Sequence, residues 1–259
     1  MVALSTVLSL INLGSLPAGG SITLASMLPI VIAAYRHGTS WGLISSSVAS
    51  LAQMLTGLSA FSYVTTWQSI VAVALLDFIA AFAVYGLSGI FRKKISSQPT
   101  AITVGAFLSA SLRYLCHVIS GATVWAGLSI PDGAALLYSI SYNATYMIPD
   151  TIILCIFCFY IASAIDFRSK NLTRIQRSSE SGADIALSLT SGIVLLSATV
   201  FDTVAVFLKL QSESGEFDIT LLGNVNWILV GLVTLLSLIV STVLFSVVLY
   251  RRKRSKKTN

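Results

Sequence analysis

With 259 residues, 55% of them hydrophobic and only 10% charged, the chain has a mean hydropathy of +0.86. Soluble domains carry about a quarter charged residues, so this composition excludes a soluble globular protein and predicts an integral membrane one. The net charge of +6 does not imply nucleic acid: of the 16 Lys and Arg residues, six lie between Arg251 and Lys257 and four between Arg168 and Arg177, and basic clusters flanking apolar spans mark cytoplasmic loops and anionic headgroups.

Polar and turn-forming breaks separate eight apolar stretches, 1–13, 21–35, 39–58, 67–91, 101–125, 134–164, 184–208 and 221–250. The first lacks a basic n-region and a small-residue cleavage site, so it reads as a membrane segment rather than a removable signal. The second is short and contains Pro29, which predicts a bend. In the third, Gly42, Ser46 and Ser50 recur every four residues, a small-residue seam that lets helices approach closely. The segment from Arg168 to Gly182 is basic and then Ser-rich, the character of a linker.

The expected architecture is therefore all-α: a six-helix bundle over 1–167, a cytoplasmic linker at 168–182, two further transmembrane helices within 183–250 and a basic tail at 251–259. Arg36 and His37, Arg92 to Lys94, Arg168 to Arg177 and the Arg251–Lys257 tail alternate with loops poor in Lys and Arg. The positive-inside rule then places both termini in the cytoplasm. Cys116, Cys155 and Cys158 all fall in apolar stretches and read as small buried hydrophobes.

Ionisable groups inside apolar spans are the candidates for function. A carboxylate at the bilayer centre costs about 2.5–3.5 kcal/mol on insertion scales, so each should face a partner or a ligand. The chain places Asp77, Arg113, His117, Asp150 and Asp202 in or near such spans. Asp77 has no other charge within ten residues, and its bland reading is a helix–helix hydrogen bond or an ion pair with Arg113. His117, Gly121 and Trp125 share one helical stripe, and Gly121 is expected to leave a gap between imidazole and indole for a flat ring. Tyr138 and Asn143 add a phenol and an amide, and the amide both donates and accepts. Trp67 begins the fourth stretch and could close the site from outside. An acid with aromatic faces suits a small, flat, cationic molecule. For Asp202 the expectation is a bond within the bundle.

The strings LPAGGSITLASMLPIVIAAYRHG, LLDF, HVISGATVW and LLYSISYNATY, in this order, resemble the substrate-binding S-component of energy-coupling factor (ECF) thiamine transporters across roughly residues 3–165. The resemblance implies a six-helix bundle with a thiamine pocket near the outer face of a bacterial or archaeal cytoplasmic membrane. It also implies a transmembrane coupling subunit and two ATPase subunits as partners. By position, Asp77 is similar to the family's pocket acid, His117, Trp125, Tyr138 and Asn143 to its ligand contacts, Gly121 to its packing glycine and Trp67 to a stacking aromatic. Phe78 stands where the family often has Tyr, keeping the ring and losing the hydroxyl. The loop at 16–21 resembles the lid over the pocket. Residues 183–259 have no counterpart in the resemblance.

The chain has no GxxxxGK[ST] phosphate loop, HExxH or GxSxG motif, so ATP hydrolysis, zinc proteolysis and serine hydrolysis by the chain itself lack support. These absences favour a binding and translocation subunit, with no metal or cofactor of its own, over a catalyst. The alternative is a stand-alone proton-coupled carrier with Asp77, Arg113 and His117 as its relay; an intramembrane enzyme acting on lipid ranks below both.

Overall fold

The computed structural model describes residues 1–16, 20–124, 135–175, 182–212 and 218–258. The chain divides into two compact units, Met1–Thr173 and Arg174–Asn259. Both are built from helices, and among the described residues five are long and apolar enough to cross a membrane: Trp67–Phe91, Gln98–Thr123, Ala135–Ala164, Gly182–Phe207 and Trp227–Arg251. The protein is an all-α integral membrane protein.

The first unit opens with helix α1 (Val2–Leu10) and a short antiparallel hairpin, β1 (Asn12–Ser15) with β2 (Ser21–Thr23). Helix α2 (Leu28–His37) follows, with every residue from Leu28 to Tyr35 buried. The stretch 21–35, expected as one span bent at Pro29, is thus a strand and a separate helix. Pro29 sits in the first turn of α2, where its missing N–H would have had no partner, so it starts the helix instead of bending it.

Gly38, at φ +94°, reverses the chain into α3 (Thr39–Thr56). A Cβ on Gly42 would lie 2.6 Å from both Ala34 Cβ and the Gly86 carbonyl. The Ser46 hydroxyl donates to the Ala83 carbonyl at 2.8 Å. The small-residue seam of α3 therefore meets the next span at backbone distance.

That span, α4 (Trp67–Phe91), is not a uniform α-helix. It begins at the Thr66 cap, whose hydroxyl accepts from Ser69 N–H, widens into a π-helical turn over Ala74–Ala80 and tightens to 3-10 geometry over Val84–Phe91. A π-turn inserts an extra residue into the helical register and re-aims what it carries, and Asp77 lies at its middle.

Two long helices complete the unit, α5 (Gln98–Thr123) and α6 (Ala135–Ala164). Their far ends are tied by one side chain. Gln98, in the first turn of α5, donates Nε2–H to the carbonyls of Ala162 (2.8 Å) and Ile165 (2.7 Å), and its Oε1 accepts from Phe167 N–H (3.0 Å). Carbonyls that a helix end leaves without intrahelical partners are here satisfied by another helix.

The second unit contains α7 (Gly182–Phe207) and α8 (Trp227–Thr258). Three polar rungs join them: Arg251 Nε with Asp184 Oδ1 (3.4 Å), Ser191 Oγ with Ser241 Oγ (2.6 Å), and Thr234 donating to Asp202 Oδ2 (2.6 Å). Asp202 accordingly bonds within its own helix pair. Before α8, Asp218 accepts from both the hydroxyl and the N–H of Thr220, which hold its carboxyl below the usual range.

Candidate ligand site between three spans

The π-helical turn of α4 points Asp77 at α5. Its Oδ1 lies 3.0 Å from His117 Nδ1 and its Oδ2 accepts from the Ser120 hydroxyl at 2.7 Å. His117 and Ser120 are three residues apart, on one face of α5. Both side chains of the Asp77–His117 pair are only 13% exposed. This is the helix–helix hydrogen bonding weighed for Asp77; the ion pair of Arg113 is with Asp150.

Arg113, one turn before His117, donates Nε–H to His117 Nε2 at 3.4 Å and Nη1–H to Asp150 Oδ2 at 3.3 Å. Because Nε2 faces a donor, it must accept, which assigns the imidazole proton to Nδ1 and makes that nitrogen the donor to Asp77. The guanidinium also lies over the Phe82 ring, 4.5 Å from its centroid. Asp150 is held from the opposite side: Thr23 of β2 donates its N–H and its hydroxyl to Oδ1, each at 2.9 Å. A string of polar groups thus runs from α4 through α5 and α6 to the hairpin, entirely within apolar surroundings.

Helix α6 supplies the other wall. Tyr138, Tyr142 and Tyr146 recur every four residues, with ring centroids 6.1 and 5.8 Å apart, and Tyr146 meets the His117 ring edge-on at 6.5 Å. The hairpin packs on this ladder at Gly20, where a Cβ would come within 2.8 Å of the Tyr146 ring and 3.1 Å of the Tyr142 hydroxyl. Asn143 is buried; its amide donates to the Ser139 carbonyl (2.8 Å), and its Oδ1 accepts from the Tyr146 hydroxyl (2.7 Å). One lone pair of that oxygen remains for a further donor.

Of the residues singled out from sequence, Asp77, His117, Gly121 and Asn143 come together, and Tyr138 joins them through Tyr142. Gly121, Phe78 and Trp67 are placed as follows. Gly121 opens no gap: a Cβ there would collide with Ser139 Oγ and lie 2.9 Å from Ser139 Cβ, so the glycine lets α5 and α6 close on each other. Phe78, one residue past Asp77, points to a different face, stacked on Phe61 at 5.6 Å and covering Gly57. Trp67 is 70% exposed at the start of α4, ten residues or about 15 Å along the axis from Asp77, and does not join the cluster. Trp125 and residues 17–19 of the 16–21 loop lie outside the described residues.

Sequence reasoning missed Tyr142 and Tyr146, although their four-residue spacing from Tyr138 marks a stripe. It noticed Arg113 and Asp150 as costly groups without pairing them, and it passed over Thr23, Ser120 and Ser139 entirely.

Fold and site together define a multi-pass membrane protein whose buried polar groups gather between three helices. Residues 1–168 match the thiamine transporter protein family (Thia_YuaJ), and the chain belongs to that family. It is 36% identical over 152 residues to the thiamine transporter ThiT of Bacillus subtilis (strain 168), an alignment covering 55% of this chain and 74% of that protein. The family is one of transporters rather than enzymes.

Proposed function

We propose that this chain is the substrate-binding subunit, an S-component, of a thiamine uptake transporter. It takes thiamine from the outer side and passes it inward with ATP-driven partners: an ECF transmembrane coupling subunit and two ATPases. Membership of the family and likeness to ThiT support the substrate. The observation that carries the site is the Asp77–His117 pair, set at membrane depth by a π-helical turn and backed by a tyrosine ladder.

In this reading the Asp77 carboxylate attracts the thiazolium cation, and His117, Trp125 and Tyr138 offer ring faces. Asn143 Oδ1 accepts from the exocyclic amine of the pyrimidine, and Gly121 permits the helix contact that presents Asn143. The test is a tryptophan-fluorescence titration of the detergent-purified chain with thiamine. Replacing Asp77 by Asn should weaken thiamine by about 10- to 100-fold, matching the roughly 1.5–3 kcal/mol of a charge-assisted contact. A neutral analogue with thiophene in place of thiazolium should lose far less. Equal losses for both ligands would make Asp77 structural.

A second reading, a stand-alone proton-coupled carrier, draws on the hydrogen-bonded string Asp77–His117–Arg113–Asp150. Its sign is uptake into vesicles lacking ATPase subunits that collapses with a protonophore. Uptake that requires ATP and survives the protonophore removes it.

A further inference from the structure

Resting on the thiamine-binding reading, we infer that Asp150 is a specificity-determining residue that never touches the ligand: it holds the Arg113 guanidinium away from Asp77 and so keeps the site selective for a cation. The geometry places two carboxylates around one guanidinium. Asp150 Oδ2 takes Arg113 Nη1–H at 3.3 Å, while a single imidazole, that of His117, stands between Arg113 Nε and Asp77 Oδ1. In the membrane interior a guanidinium without a carboxylate is costly, and Asp77, one imidazole away, is the next carboxylate along the string.

Asp150 is built to win that competition. Its Oδ1 is anchored by two donors from Thr23, so the carboxylate cannot follow Arg113 if the latter turns toward Asp77. The Phe82 ring lies 4.5 Å from the guanidinium carbon, and Tyr85 shares a side-chain hydrogen bond with the same group. Arg113 in this position also matches the His117 tautomer that the Asp77 carboxylate itself requires, its Nε–H facing Nε2 while Nδ1–H goes to Asp77. Without Asp150 the arginine would turn to Asp77 and occupy the place of a cationic ligand.

The test uses the full chain and calorimetric titration with thiamine and with its neutral thiophene analogue. Asp150→Asn, which keeps the shape and the Thr23 contacts, should weaken thiamine about tenfold or more while leaving the neutral analogue within about threefold, the difference expected for one displaced charge contact. Removing the competing cation as well, in Arg113→Gln/Asp150→Asn, should restore thiamine affinity, and Arg113→Gln alone should bind thiamine at least as tightly as the unmodified chain. Equal losses for the two ligands in Asp150→Asn, no restoration in the double variant, or a thiamine-selective loss in Arg113→Gln would each overturn the inference. Should Asp150→Asn fail to fold, the other two variants still decide it.

Binding of neither ligand by the unmodified chain would instead sink the thiamine reading. The inference is then judged by histidine nitrogen NMR, simple in a chain with 2 His. Asp150→Asn should disturb the Nδ1–H form of His117, and the double variant should recover it. An unchanged His117 signal in Asp150→Asn would refute the arginine's movement.

Discussion

Gly121 and Ser139 show how one missing carbon can place a whole site. The Ser139 hydroxyl donates to the Val118 carbonyl at 3.0 Å across the contact that Gly121 opens. Gly121→Ala would drive a methyl group into Ser139, and overpacking of this kind costs about 1–3 kcal/mol. We expect a lower melting temperature in detergent for Gly121→Ala and partial recovery when Ser139→Gly is added; an unchanged melting point would mean the helices separate freely here. Asp77, His117 and Asn143 were legible because a polar side chain in hydrocarbon demands a reason. The pairing of Arg113 with Asp150, and of Asp150 with Thr23, was not. Their partners are 37 and 127 residues away in sequence, and only packing brings them together.

Helix α4 carries the information that periodicity alone could not. Its bounds, 67–91, follow from hydropathy, yet nothing in IVAVALLDFIAAF announces a π-turn, since the six apolar residues around Asp77 in Ala74–Ala80 fit either winding. Removing one residue from Ala74–Ala80, such as Leu75, should return the segment to ordinary α-register and swing Asp77 by roughly 100° relative to one flank. The expected outcome is a folded, monodisperse protein that no longer responds to thiamine by fluorescence; retained binding would show that the π-turn does not aim the acid. Helix α2 illustrates the opposite limit. Being buried on all sides, it has no polar face to set its ends, so the sequence suggested a longer, bent span where a strand and a short helix stand.

The family match and the polar string both lie in the first unit, while α7 and α8 have their own polar rungs. A chain ended after Thr173 should therefore still bind thiamine with an affinity close to that of the full chain, measured by the same titration; loss of binding in a folded truncated protein would give the second unit a part in the site. Helix α8 continues to Thr258 over 32 residues, about 48 Å, which is longer than a hydrocarbon layer of roughly 30 Å. The two units divide between Thr173 and Arg174, inside the Arg168–Gly182 stretch where charge and serine interrupt hydrocarbon plainly. The Gln98 clamp has a bearing on biogenesis. The last carbonyls of α6 find their donor on a span threaded into the bilayer before it, so this terminus is sealed by an earlier segment and not by local chain chemistry. A nascent protein whose fifth helix arrives late, or in the wrong place, would leave these two carbonyls to water.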